Sequence, residues 1–275
     1  DVAMPVTFGV PFAKGEVTEK SLHNYGICNI PVDSWINARW QDGSVKWAAF
    51  SALIPKGVNA TTLKVGYGQH VKHKLVDISK NGIIVNTGDM KVLFPRHGNS
   101  FMDYIIYKGI KVADMGRVVA STSLSSYKSV IDTSYIENSG DVRAVVRVNG
   151  HMIGDKESNM TLPFTLRFYL YYGSEQIRIQ HSFVYDGNQN NDFIKSLGLQ
   201  FDVPFRETVY NRHVAFSFDK DSVWTEPVQP LDGRRGLNRD HNYLSDQMNG
   251  LRIPEYATFD EEQKKVLQKK LSRLI

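Results

Sequence analysis

From its first residues to about Phe218 the chain is a succession of short runs, alternating or rich in β-branched residues, each ended by Gly, Asn, Asp or Pro. "VTFGVPF", "WINARW", "VKWAAFSALI", "GIIVNTGDMKVLF", "DVRAVVRVNGHMI", "LPFTLRFYLYYG" and "QIRIQHSFVYD" are representative. Period-two alternation fits a pleated strand with one face inward, and helical periodicity is nearly absent. So many short strands bury their apolar faces against one another, which predicts a mainly β protein of barrels and antiparallel sandwiches. A chain of 275 residues exceeds the usual size of one domain. A seam is expected near residue 75. It would leave strands able to close a small β-barrel over residues 1–75, a longer β meander over 76–230, and a tail of different character over 231–275.

The sharpest local signal is "ARWQDGSVKWAAF", Ala38 to Phe50. A two-residue Asp42-Gly43 turn would set Gln41 opposite Ser44, Trp40 opposite Val45, Arg39 opposite Lys46 and Ala38 opposite Trp47. One face then collects Ile36, Ala38, Trp40, Val45, Trp47 and Ala49, and the other Asn37, Arg39, Lys46 and Ala48. Core packing is the plain reading of the two indoles; stacking against a sugar is the alternative.

The tail "ATFDEEQKKVLQKKLSRLI" departs from the β pattern. Thr258 and Glu261 stand in capping-box relation, and Leu267, Leu271 and Leu274 share one face, so a helix is expected. It runs to Ile275 without a C-cap, as a helix does when more helices follow.

Composition narrows the partners. No run of 18 apolar residues exists, so no membrane-spanning helix is expected. An opening that reads as strand from Asp1 suits a chain whose export signal has been removed. The formal charge of +4 suits an acidic ligand. Scattered basic residues and aromatics at strand spacing argue against nucleic acid. The single Cys28 leaves no internal disulfide and no cysteine-based metal cluster. Two sequons, at Asn59 and Asn159, would matter only in a eukaryotic secretory route.

Three candidate sites deserve weighing. In "DGNQNND", Asp186, Asn188, Asn190 and Asp192 alternate as the oxygen ligands of a calcium loop do. However, the sixth position is Asn191 rather than Gly and the twelfth is Leu197 rather than Glu, which leaves an Asn/Asp-rich turn and no expected metal or cofactor. His181 and Tyr185, four apart on one strand, would share a face as a base and an acid, but no orienting carboxylate accompanies them. The polar segment "PLDGRRGLNRDHNYLSDQMNG" gathers Asp232, Arg234, Arg235, Arg239, His241, Tyr243 and Gln247. Paired arginines grip carboxylates bidentately, so Arg234, Arg235 and Tyr243 are nominated as substrate contacts against the plainer reading of a solvated loop.

"PVTFGVPFAKGEV", Pro5 to Val17, followed by "ARWQDGSVKWAAF", resembles the opening of the exo-rhamnogalacturonan lyase-like, or YetA-like, proteins, which include polysaccharide lyase family 26. "VNTGDMKVLF", "ENSGDVRAVVRVNGHM" and "LRFYLYYGSEQIRIQHSFVYDG" resemble what comes next in that family, so the likeness covers most of the chain. It implies a RIFT-type barrel over residues 1–75, a β-sandwich over 76–230, and a linker with the first helix of a following helical domain over 231–275, that domain being an α/α toroid that would carry the catalytic cleft. It implies an acidic polysaccharide as substrate, β-elimination as the reaction, and an extracellular or periplasmic bacterial setting. No family catalytic motif is matched here. A carbohydrate-binding or scaffolding module, marked by exposed Trp35 or Trp224, and a glycoside hydrolase with two carboxylates facing one cleft are the competing readings.

Overall fold

The computed structural model describes residues 3–27, 29–58, 63–66, 74–155, 160–218, 222–228 and 243–253, with helical positions at 262, 265 and 269. It divides into two compact units, Asp1–Pro204 and Phe205–Ile275. The class expected from the strand pattern, a small barrel followed by a sandwich, is what the chain adopts.

The first five strands are β1 (Met4–Pro11), β2 (Tyr25–Ile27), β3 (Val32–Arg39), β4 (Val45–Ile54) and β5 (Leu63–Val65). β4 is central in an antiparallel β1-β4-β3 sheet, and β2 pairs with β5. A short helix, α1 (Glu19–Leu22), starts at Thr18, whose side chain accepts from Ser21 N while the Ser21 hydroxyl accepts from Thr18 N. It drops Leu22 into a core of Phe12, Val17, Ile27, Val45, Ala48, Phe50 and Ala52. Phe8 and Phe50 stack with centroids 5.8 Å apart.

The hairpin between β3 and β4 forms where expected, but its turn is one residue longer. Trp40 N donates to Ser44 O and Gly43 N to Trp40 O, with Gly43 at φ +85, so Arg39 faces Val45 and the loop closes as a turn plus bulge. Ala38 does face Trp47, as expected. A second register shift lies between Ile36 and Ala38; Ile36 and Val45 keep the core side expected of them, while on β4 beyond Lys46 the expected faces are reversed. Ala48, Phe50 and Ala52 point into the barrel core, while Trp47 lies against Gly9 and is 43% exposed.

The sandwich is built from β6 (Val76–Ser79), β7 (Gly82–Asn86), β8 (Met90–Pro95), β9 (Met102–Tyr107), β10 (Ile110–Thr122), β11 (Ser126–Ser139), β12 (Arg143–Gly154), β13 (Phe164–Tyr171), β14 (Ile177–Phe183) and β15 (Ile194–Asp202). They pair in the order β14-β13-β12-β11-β10-β9-β8-β7-β6. β10 changes partners along its length, pairing with β9 at its start and with β15 and β11 toward its end. A path folded at β10 encloses one core, in which Phe168 sits 4.8 Å from Phe94 and 5.4 Å from Phe101. Buried side chains from β12 and β13 interdigitate there with those of β7 and β8.

The second unit carries an antiparallel ribbon, β16 (His213–Ser217) with β17 (Val223–Pro227), and a helix, α2 (Tyr243–Met248). Gln247, fully buried, donates from Nε2 to Tyr210 O at 2.7 Å, which ties α2 to the turn before β16.

Candidate functional site

The outward positions of β11 to β14 share one face of the sandwich. Register sets Tyr135 beside Arg147, Arg147 beside Arg167 and Arg167 beside Gln180, with Asn149 next to Thr165 and Tyr169 next to Arg178 in the flanking rows. Three inter-strand spacings make this face about 14 Å wide.

Glu137 is the carboxylate around which the arginines gather. Arg167 grips it twice, Nε to Oε2 at 2.7 Å and Nη2 to Oε1 at 3.0 Å, and Arg147 Nη1 stands 3.6 Å from Oε1. Arg147 Nε donates to Asn149 Oδ1 at 3.1 Å, and that oxygen also accepts from the Thr165 hydroxyl. The hydrogen bonding from Arg167, with the charges of Arg167 and Arg147, holds the Glu137 carboxyl below its ordinary range despite partial burial. Such a group stays ionised and is poorly suited to act as a general acid. At the far end of the face Asp132 pairs with His151 Nδ1 at 2.9 Å.

The barrel supplies one more ring. Asp33 on β3 accepts from the backbone N–H groups of Asp141 and Val142 at 2.9 Å and of Arg143 at 2.7 Å. Burial pushes its carboxyl up, against the pull of those three bonds. A Cβ at Gly140 would stand 2.0 Å from Asp33 Oδ2, so this close approach requires glycine. Residues two apart share a strand face, and anchoring Asp33 therefore delivers Trp35 to the same edge. There the Arg143 guanidinium carbon lies 4.9 Å from the Trp35 ring centroid and 5.3 Å from that of Tyr169. Arg178 covers Tyr169 in turn at 5.6 Å, and Arg147 lies 5.7 Å from the Tyr135 ring. Nearby, the Tyr171 hydroxyl meets Thr7 Oγ1 at 3.0 Å and Ser51 Oγ at 3.2 Å, a second tie between barrel and sandwich.

Trp35, Arg143, Tyr169 and Arg178 thus alternate as ring and cation, beside the Arg147–Glu137–Arg167 cluster. Guanidinium groups recognise carboxylates through paired N–H donors, and aromatic rings stack on the apolar faces of sugars and on cations.

The PcRGLX-like N-terminal RIFT barrel domain matches residues 1–66, and the PcRGLX-like protein central β-sandwich domain matches residues 75–272. The chain belongs to the PcRGLX-like family. The Uncharacterized protein YetA of Bacillus subtilis (strain 168) is 31% identical over 280 residues, a match that covers 96% of this chain and 32% of YetA. The chain thus spans about a third of that relative's length.

Within this PcRGLX-like frame, the residues nominated from the sequence fall in different places. Arg234 and Arg235 lie outside the described residues, as do Asp232, Arg239 and His241. Tyr243 opens α2 in the second unit, and Gln247 of the same loop is buried structure. β14 ends at Phe183, so Tyr185 is not on the strand with His181; its hydroxyl donates to Asp192 O at 2.7 Å. His181 packs between Phe164 and Phe183, and burial lowers its pKa. Asp186 accepts from Thr161 N at 3.0 Å and Leu162 N at 2.8 Å, tying its loop to the segment before β13, while Asp192 accepts from Asn188 N at 2.8 Å and closes the loop itself. Trp40 donates to Phe12 O at 3.0 Å with Lys46 over its ring at 4.6 Å, which makes it part of the barrel wall. Trp224, on the ribbon opposite Phe216, is 53% exposed.

The arginine face was missed because its members are dispersed over four strands, each of which reads as an ordinary amphipathic run. One signal was available: the outward positions of "DVRAVVRVNG" and "LRFYLYYG" hold Arg and Tyr, residues that build binding surfaces.

Proposed function

We propose that this chain forms the N-terminal, non-catalytic β-domains of a polysaccharide lyase-like protein that acts on an acidic, rhamnogalacturonan-type glycan by β-elimination. The observation that carries this reading is the face of β11 to β14, where Arg143, Arg147, Arg167 and Arg178 stand with Trp35, Tyr135 and Tyr169. Uronate units bring a carboxylate for each guanidinium and a ring face for each aromatic side chain. In the elimination, a base takes the proton from the carbon α to the carboxylate, the bond to the glycosidic oxygen breaks as the double bond forms, and an acid protonates the leaving oxygen. The following helical domain implied by the resemblance would supply base and acid, with Arg234, Arg235 and Tyr243 as contacts at its edge. Export to the cell exterior or periplasm follows from so large a substrate.

The face supports a second reading, a carbohydrate-binding module without an enzymatic parent. A hydrolase is less favoured. It needs a carboxyl group free to donate a proton beside a second carboxylate, and Glu137 is held ionised by two arginines.

The test follows the ultraviolet absorbance of unsaturated uronate on a panel of acidic polysaccharides, using this chain and the longer protein that contains it. Activity in the longer protein alone is the expected outcome. Activity in this chain would overturn the non-catalytic assignment, and binding without elimination in both would favour the module.

A further inference from the structure

Arg143 is 8% exposed, so its guanidinium lies inside the protein. Trp35 and Tyr169 lie over it, at 4.9 and 5.3 Å, and its N–H edges are what remains to be satisfied. Nε and Nη1 are sealed from solvent, and among the described residues they have no hydrogen-bond partner and no carboxylate forms an ion pair with the group. Asp33, the acid delivered to this junction, is occupied by the three backbone N–H groups of residues 141–143. Buried guanidinium groups are normally paired, since a desolvated cation with empty donors is costly and ring contacts offset only part of that cost. Arg178 on the far side of Tyr169 adds a second positive charge to the same ladder.

We propose that Arg143 is the receptor for a single carboxylate of an acidic sugar, gripped at the guanidinium edge between the rims of Trp35 and Tyr169. Nη2 is not among the sealed atoms, and both bidentate modes of a guanidinium use it, side-on with Nε or end-on with Nη1. A carboxylate arriving at Nη2 meets the open donor first and gains one of the sealed donors as the rims of Trp35 and Tyr169 part to admit it. Arg178, one rung further along, would take the carboxylate or hydroxyl groups of the neighbouring unit. The inference rests on an acidic glycan as ligand, and it assigns the carboxylate-reading position within that glycan.

The test titrates the 275-residue chain with a galacturonate oligosaccharide and with the same oligosaccharide after reduction of its carboxylates to alcohols. The readouts are calorimetry and the NMR signal of the Arg143 Nε–H, identified by its loss in Arg143→Lys. The expected result is binding of the acid form, a shift of the Nε–H signal, and about tenfold or greater weakening in Arg143→Lys, whose ammonium keeps the charge but not the fork. Arg143→Met should abolish binding; if it does not fold, the Lys variant and the parent's Nε–H signal still decide. Equal binding by parent and Arg143→Lys, with the Nε–H signal unmoved, overturns the receptor while leaving the acidic-glycan reading intact. Equal binding of the acid and reduced forms overturns both, and no binding of either form by the parent overturns the receptor and leaves the glycan reading to the elimination assay.

Discussion

The β3–β4 hairpin and the outer face of β11 to β14 are built from the same chemistry, arginine or lysine against indole or phenol. At the turn end of the hairpin these groups find partners within the barrel: Trp40 bonds Phe12 O, Lys46 covers Trp40, and Arg39 reaches Gly43 O and Glu19. On the sandwich face the partners come from four strands and from the barrel, and Arg143 is left with sealed, unpaired donors. Residues within the one small barrel complete one another there and make structure. Residues brought together by register can converge without cancelling, and that is where a ligand is needed.

The strongest way to break this contrast is to remove the anchor that joins the two regions. Asp33→Ala leaves the N–H groups of Asp141, Val142 and Arg143 without their acceptor. The expected loss is about 2–4 kcal/mol in urea unfolding, because each stranded donor carries its desolvation penalty. Binding of acidic glycan should weaken as well, since Trp35 loses its fixed place over Arg143. Asp33→Asn, which keeps one acceptor oxygen, should recover part of both. If Asp33→Ala unfolds like the parent, the junction does not position the site.

How much of this was legible beforehand follows from the same contrast. Strand content and the existence of the Ala38–Phe50 hairpin depend on local alternation and turn residues, which a sequence displays directly; the barrel-then-sandwich order was legible through the family resemblance. The outward turn of Trp47 was not legible, because it follows from register shifts on either side of Ala38, which a pattern of alternation does not display. The Arg143 ladder was hidden for a related reason. It joins Trp35 to residues 143, 169 and 178, and nothing in a run such as "DVRAVV" announces a tryptophan a hundred residues away.

Glu137→Gln sharpens the comparison from within the face. It removes the carboxylate held by Arg167 and Arg147 and frees two guanidinium groups, so binding of an acidic oligosaccharide at neutral pH should strengthen. Stability should change little, by less than about 1 kcal/mol, because the pair is partly solvated. The sign with pH is fixed by the lowered pKa: the contribution of Glu137 is present above its ordinary 4.5 and is lost as pH falls through the lower folded value. An acid titration of stability should therefore show a component in the parent that the variant lacks. Weaker glycan binding in the variant would mean that Glu137 contacts the sugar rather than restraining the arginines.

The smallest effect belongs to the hairpin. Lys46→Ala removes the cation over Trp40 and should cost about 0.5 kcal/mol, the usual worth of such a contact at a partly exposed site. Acidic-glycan affinity should stay at the parent value, even though the substitution removes a positive charge beside an indole, as a change at Arg143 also does. The two variants together ask whether a cation stacked on a ring is enough to make a site. Because the Lys46 contact completes a locally satisfied turn and Arg143 carries sealed donors with nothing to receive them, the expected answer is that stacking alone is not. Loss of glycan binding in Lys46→Ala would move the binding surface onto the barrel and remove the distinction between the two regions.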